Sequence, residues 1–464
     1  MSQNGHRASD FAALAEGFAG DLHRPDDPSY EEARSIFNSM IEKRPSLIAQ
    51  VTGPDDIRQA LAYARENDLE VAVRGGGHSV AGACLTDGGI TIDMRRMNRV
   101  TVDPKAKTAT AQGGALWADF DGATQPHSLM APGGRVSTTG VAGLTLGGGS
   151  CWLERKFGMA ADNLLSVDLI TAEGRAVHAS EDENPELFWA LHGGGGNFGI
   201  ATELTFRLHD LPAATFGLLL WPTEAGPEVS RAYRELLDGA PDELGGCQLY
   251  TTGPEEEFVP EHLQNQHVCM PVVYYAGPEA EAREVLAPLL ALEPEGELLA
   301  EMPYVDMQCA IDDPPGYRNW WSAEYLPELS DEALDTYDAR AADMVVPSPS
   351  LHTAMPLGGA VTRNADLSPL AFREKATWTI HPLALWVETS DDEQAIGWAR
   401  NVIADMKPFS VGAVYPNFIG DEGQERVVAA YGEENYRRLA EVKAEFDPDD
   451  VFHLHHRIQP AARV

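Results

Sequence analysis

The run Arg74-Gly75-Gly76-Gly77-His78-Ser79 follows directly on the apolar triplet Val71-Ala72-Val73, so a glycine loop carrying a nucleophilic imidazole leaves the end of a buried strand. Lacking a Cβ, glycine lets successive backbone N–H groups converge on one anion, as a pyrophosphate cradle requires. The device recurs twice more. Pro132-Gly133-Gly134 leads through Gly140 and Gly143 to Gly147-Gly148-Gly149, and Gly193 to Gly196 is followed by Gly199. Three clusters exceed what tight turns need.

Gly194, Gly196 and Gly199 formally satisfy GxGxxG. A dinucleotide fingerprint needs a strand before it and a helix after it, whereas here the helical Pro185 to Leu191 precedes and the strand-like Ile200 to Phe206 follows. A NAD-dependent dehydrogenase is disfavoured on that ground, and no GxxxxGK[ST] run is present. In Phe452-His453-Leu454-His455-His456-Arg457, His453 and His455 would share one face of a strand; no third ligand stands at a characteristic spacing, so no metal is expected. Five cysteines (Cys84, Cys151, Cys247, Cys269, Cys309) without CxxC spacing indicate neither a disulfide framework nor a zinc site and fit a reducing cytoplasm.

The elements that must position these loops read as α+β. From about Leu47 to His209, short apolar strands alternate with glycine turns: a helix after Thr52-Gly53-Pro54-Asp55, then strands at Val71 to Val73, Ile90 to Met94, Val100 to Val102, Ala109 to Gln112, Leu165 to Thr171 and Ala201 to Leu208. From about Phe216 to Met406, strands at Phe216 to Trp221, Val268 to Tyr275 and Thr377 to Val387 are interleaved with helices near Glu279 to Leu292, Asp331 to Met344 and Asp392 to Met406. The tail reads as an aromatic strand, Val411 to Phe418, and an amphipathic helix, Glu433 to Phe446. This predicts a first domain over residues 1–212 (core about 43–212), a second over 213–408 with an antiparallel sheet covered by helices, and a segment 409–464 returning to the first.

With 464 residues, 44% hydrophobic and 23% charged, and a mean hydropathy of −0.25, the chain can bury a sizeable core. No apolar run is long enough to span a bilayer and the N-terminus lacks a basic start followed by an apolar stretch, so neither a membrane span nor a cleaved signal is expected. Charge is the outlying quantity: 34 Lys+Arg against 72 Asp+Glu leaves −38. Nucleic acid and anionic lipid would be repelled. The acids are scattered, among them Asp26 and Asp27, Glu255 to Glu257, Asp312 and Asp313, Asp391 and Asp392, and Asp449 and Asp450, which reads as a hydrated acidic surface of a salt-loving host.

The order RGGGHSVAG (Arg74 to Gly82), PGGRVSTTGVAGLTLGGG (Pro132 to Gly149), RKFGMAADNLLSVDLITAEG (Arg155 to Gly174) and LFWALHGGGGNFGIATELTF (Leu187 to Phe206) resembles the PCMH-type FAD-binding domain of the berberine bridge enzyme-like oxidoreductases, in the vanillyl-alcohol oxidase fold group. Tyr415-Pro416-Asn417-Phe418 resembles that family's Tyr-x-Asn-aromatic segment, and Phe446 to Phe452 its closing segment. The resemblance runs from about Leu47 to Ile458 and is weakest from Phe216 to Ala376.

It implies FAD attached through its 8α carbon to His78, imidazole being a nucleophile near neutral pH. Where many relatives add a cysteinyl tether this chain has Val136, so a single link is implied. Cys151, further on, reads as a packed cysteine beside the cofactor. Cofactor contacts are implied for Arg74, Gly75, Gly76, Gly77, His78, Ser79, Gly82, Thr139, Gly140, Gly143, Gly147, Gly148, Asn163, Val167, Gly199, Ile200 and Asn417. Thr139 stands where relatives carry a residue held to govern oxygen access, and its valine-like size favours an oxidase using O2. Leu144 replaces a histidine of some relatives, so contacts to the ribityl chain differ.

Tyr415 is the implied base, although a phenol with an ordinary pKa near 10 needs strongly donating surroundings to serve. The middle region is implied to wall the substrate, with Tyr317, Trp320, Trp321, His381 and Trp386 as pocket residues and Glu388 as a second acid or base. The activity implied is removal of a hydride from a hydroxyl- or amine-bearing carbon of a small molecule. A dehydrogenase with another acceptor and a flavin-binding carrier without turnover are the alternatives. The charge gives a test of its own. Raising KCl from about 0.1 M to about 2 M shortens the screening length from about 10 Å to below about 3 Å, and is expected to raise the unfolding temperature by roughly 5 °C or more; an unchanged unfolding temperature across the series removes the salt-loving reading.

Overall fold

In the computed structural model, residues 4–313 and 315–462 are described. Gly53 and Pro54 start the helix Pro54–Glu66, with Asp55 and Asp56 in its first turn, and Ile57, Ala60, Leu61 and Ala64 form its buried stripe. That stripe lies on a four-stranded sheet ordered Asp21–His23, Leu47–Gln50, Ile90–Asp93, Val71–Arg74, whose last three strands are parallel. The first glycine loop therefore leaves the carboxyl end of a strand in a parallel set, where ligand loops of open sheets collect. A five-stranded antiparallel sheet follows, ordered Val100–Asp103, Thr108–Gln112, Ile200–Arg207, Leu164–Ile170, Ala176–Ser180. The third glycine cluster feeds its central strand.

The second unit is a nine-stranded antiparallel sheet built from Ala214–Pro222 to Trp378–Trp386. Helices Gly226–Gly239, Asp331–Ala341 and Asp392–Met406 cover one of its faces, packing Val229, Tyr233, Leu334, Tyr337, Trp398 and Val402 on Leu219, Tyr250, Trp378, Ile380, Ala384 and Trp386. The architecture is the α+β, two-domain, PCMH-type arrangement expected. No helix among the described residues is long and apolar enough to cross a membrane.

Several local expectations are corrected. Val411 to Phe418 is not a strand, because Gly412 takes φ +79° and Pro416 opens a short 3-10 turn, Pro416–Phe418. The segment around His453 and His455 is irregular, with Asp450 and His456 at positive φ, so the shared strand face does not exist. Val268 to Tyr275 divides into His267–Cys269 and Val272–Tyr275, since Pro271 offers no N–H to a ladder. The last helix begins at Gln424 and bends at Gly432. Patterning missed Leu244–Thr252 and Leu351–Pro356, whose nearly unbroken burial erases the period-2 alternation of a half-exposed strand.

Two buried ion pairs tie distant segments to the glycine-rich half. Arg373 donates to both carboxylate oxygens of Asp162 at 2.7 and 2.6 Å, with both side chains enclosed. Lys443 donates to Asp447 Oδ2 at 2.6 Å and to the carbonyls of Asn197 and Phe452 at 2.8 Å each. Asn197 in turn holds the tail, donating to the carbonyl of His455 and accepting from the N–H of Ile458. Lys443→Met leaves Asp447 buried and unpaired and is expected to cost about 3–5 kcal/mol. Thermal unfolding and proteolysis within residues 447–458 check it, and Lys443→Met combined with Asp447→Asn is expected to lose less.

Candidate functional site

Gly76 and Gly140 bring the first two glycine loops together at backbone distance: a Cβ on Gly76 would stand 2.3 Å from Gly140 N, and one on Gly140 2.4 Å from Gly76 N. The contact fixes His78. Its ring stacks on Phe37 with centroids 4.0 Å apart, and its Nε2 lies 2.7 Å from Thr138 Oγ1. Phe37 is itself held by its N–H to the carbonyl of Gly77 at 3.1 Å. Burial pushes the imidazole pKa down to about 4, so the ring is neutral at pH 7, and its Nδ1 makes no hydrogen bond among the described residues.

His78 lines a cavity that runs from the glycine loops to the uncovered face of the nine-stranded sheet. Of the expected cofactor residues, Gly75, Gly76, Gly77, His78, Ser79, Thr139, Gly140, Gly143, Gly199, Ile200 and Asn417 line it. The others do not. Arg74 is turned away, donating to the carbonyls of Ala33 at 2.6 Å and Ser35 at 2.5 Å, which brackets the segment carrying Phe37. Asn163 spends its amide on the carbonyls of Phe157 and Met159 and its oxygen on His209. Val167 is a core residue of its strand, and Gly82 packs against Ile41. Gly147 and Gly148 lie behind the wall, making room for Asn417 and Tyr415.

Strand alternation sorts the expected pocket residues. Trp321 and His381 line the cavity, whereas Trp320 and Trp386 point into the helix layer, under Arg400 and against Asp392 respectively. Tyr317 packs beside Phe37 and Trp321 without reaching the cavity wall, and Glu388 lies exposed beyond the strand end. With both sheet faces apolar, no sequence signal distinguished the tryptophans. Cys151 is buried behind the wall with Sγ 3.6 Å from the carbonyl of Gly158, and burial pushes its thiol well above the usual range.

Tyr415 is fully enclosed. Its phenol oxygen accepts from the N–H of Gly149 at 2.8 Å, the N–H of Ser150 at 3.0 Å and Asn417 Nδ2 at 2.9 Å. These three donors favour the phenolate, but burial outweighs them and pushes the pKa up to about 12. The ring stands one layer behind the wall that Ser150, Pro416, Asn417 and Phe418 form.

Of the polar side chains on the wall, the sequence points to His381 but not to Arg135, Asp313, His455 or His456. Arg135 donates to Ser150 Oγ at 3.0 Å and Glu154 Oε1 at 3.1 Å, and lies over Trp152 at 4.7 Å. His381 gives its Nδ1 proton to the carbonyl of Ser322 at 2.9 Å and stacks on Phe418, which leaves Nε2 as a lone-pair acceptor without a partner; burial pushes its pKa down to about 3. Asp313, read as part of the hydrated surface, instead lines the cavity, as do His455 and His456. His453 sits apart, bonded to the carbonyl of Asp450 and facing Glu70. Among the described residues no three His, Cys, Asp or Glu side chains converge on a metal position.

Comparison with known proteins gives these features a family. Residues 45–180 match the FAD binding domain model and residues 414–459 the berberine and berberine-like model. The FAD-linked oxidoreductase YvdP of Bacillus subtilis is 30% identical over 94% of this chain and 97% of its own. The (R)-6-hydroxynicotine oxidase of Paenarthrobacter nicotinovorans is 29% identical over 95% and 97%. The crystal structure of 6-hydroxy-D-nicotine oxidase from Arthrobacter nicotinovorans superposes with a TM-score of 0.85 at 27% identity, covering 96% of this chain and 99% of that one. Berberine bridge enzyme-like 1 of Physcomitrella patens shares the fold, with a TM-score of 0.87 at 22% identity over 98% and 100%. A nearly full-length relative at 30% identity, with the cofactor loops and the returning tail both matched, means that the chain belongs to the berberine bridge enzyme-like FAD-linked oxidoreductases.

Proposed function

We propose that this FAD-linked oxidoreductase removes a hydride from a hydroxyl- or amine-bearing carbon of a small molecule, with FAD joined through its 8α carbon to His78 and O2 as the final acceptor. The observation that carries the reading is the state of His78: neutral, held by Phe37 and Thr138, with Nδ1 unengaged at the cavity wall. The residues present fit the cofactor. A Cβ on Gly143 or Gly196, both on the wall, would meet nothing within 4 Å, so space is left along the glycine loops for a long ligand to approach the backbone. Gly75 to Ser79, Thr139, Gly140, Gly143, Gly199, Ile200 and Asn417 would hold it. Bound FAD supplies two-electron acceptance.

The chain's own groups handle substrate and proton. Residues 1–212 and 409–464 would hold the cofactor, and the sheet within 213–408 would wall the substrate. His381 offers Nε2 to a substrate O–H or N–H. Tyr415 is the proposed base: three N–H donors stabilise its oxygen once the proton has left, and Asn417 links it to the cavity wall. Thr139 on the wall, and the oxidase activity in one relative's name, support an oxidase.

Acid precipitation tests the tether. Yellow colour is expected in the pellet of the wild type and in the supernatant for His78→Ala; release from both removes the link at His78. Tyr415→Phe keeps the ring but loses the ionisable oxygen, and is expected to lower turnover by about 10²–10⁴-fold. Because the phenol is raised to about 12, the wild-type rate should climb as pH rises toward the alkaline range; a Phe variant with the wild-type rate and pH profile removes the base assignment.

A further inference from the structure

The substrate end of the cavity is apolar, walled by Trp152, Ile311, Trp321, Leu351, Met355 and Leu383. Two charged side chains interrupt it, and they differ in kind. Arg135 is already compensated, its guanidinium bonded to Glu154 at 3.1 Å and to Ser150. Asp313 makes no hydrogen bond or ion pair among the described residues, although it is half-buried and opens into the cavity it lines. Its position is set by its neighbour. Asp312 accepts the N–H of Ser137 at 2.8 Å and the Ser137 hydroxyl, which pins residues 311–313 against the Val136 to Thr139 stretch bordering the same cavity.

An uncompensated carboxylate in an apolar wall discriminates between ligands by charge. A neutral alcohol or sugar entering that space can donate an O–H to the carboxylate but brings no counter-charge, and an anion is repelled. A cationic nitrogen supplies the counter-charge that neither of these offers, and N–H donors as well where it carries hydrogen. A net charge of −38 raises the local concentration of cations in the same sense.

We propose that Asp313 is the specificity-determining anchor for a cationic nitrogen, and that the substrates are amines with an apolar body. The proposal rests on the oxidoreductase reading of this cavity and adds its substrate class. It carries a pH signature. Burial and the neighbouring Asp312 raise the Asp313 carboxyl to about 7. The histidines of the wall change charge far below that, His78 and His456 at about 4 and His381 and His455 at about 3, each through burial. The Cys84 thiol is pushed up by burial, and Glu154 is engaged by Arg135, Ser150 and the N–H of Cys151. A cation binds the deprotonated carboxylate, so its affinity rises with pH through neutrality.

The probe is benzyltrimethylammonium, whose charge does not vary with pH, compared with benzyl alcohol and benzoate. Binding is read from quenching of Trp152 and Trp321 fluorescence and from flavin difference spectra. Cation affinity is expected to exceed alcohol affinity by about tenfold or more at about pH 8, and to fall roughly tenfold by about pH 6, as one carboxyl titrating near neutrality requires. Asp313→Asn should bring the cation to the level of the alcohol and abolish the pH dependence; Asp313→Glu should keep part of both. Equal wild-type affinities for cation and alcohol, or a cation preference surviving in Asp313→Asn, overturn the anchor, and the wild-type pH series decides even if that variant does not fold. Flavin retention is independent of Asp313, so a yellow protein without cation preference fails this proposal alone, whereas a colourless one fails the cofactor reading.

Discussion

The approach of Gly76 and Gly140 is the contact on which the site depends. Each N–H occupies the volume that the other's Cβ would need, so only glycine at both positions allows the two loops to touch. Leu116 adds a single bridge to Gly140, and the N–H of Trp117 reaches the carbonyl of Thr139. From that junction the rest is geometry. His78 leaves one loop and Thr138 the other, within one hydrogen bond of each other, and Phe37 is laid over the imidazole by a bracket that Arg74 makes with the carbonyls of Ala33 and Ser35.

Charge buried outside the cavity serves a different purpose from charge on its wall. Arg373 with Asp162, and Lys443 with Asp447, are enclosed on both sides and saturated by further hydrogen bonds to backbone carbonyls or N–H groups. Such pairs add little net stability over apolar substitutes, because desolvation offsets their attraction, but each can be satisfied in one arrangement only. One joins the stretch between two strands of the second sheet to the glycine-rich half; the other closes the C-terminal turn over Asn197. The walls of the cavity come from segments hundreds of residues apart, and these pairs hold them in register.

Inside the cavity, neutrality is achieved through burial. Four histidines border it, and desolvation keeps all of them uncharged at pH 7. Arg135 is neutralised by Glu154. What remains polar is directional: the Nε2 lone pair of His381, the triply donated oxygen of Tyr415, and the carboxylate of Asp313. An apolar space with a few convergent polar groups is the form small-molecule sites take.

The sequence by itself determined the glycine loops, because close backbone approach leaves residue type no latitude, and it determined the helix of Ile57 and Leu61 and the parallel strands beside it, because one buried face writes a period into the chain. It also specified the imidazole of His78 and the Tyr415-Pro416-Asn417 segment. Only the tertiary structure decided which of two adjacent tryptophans faces the cavity, since Trp320 and Trp321 are both covered, one under the helix layer and one among the residues of the cavity wall. It alone turned Arg74 from the expected cofactor contact into a bracket, and lifted Asp313 out of an acidic surface indistinguishable from it by composition. Burial, pairing and charge state belong to neighbours brought together from far along the chain, and no local pattern of residues records them.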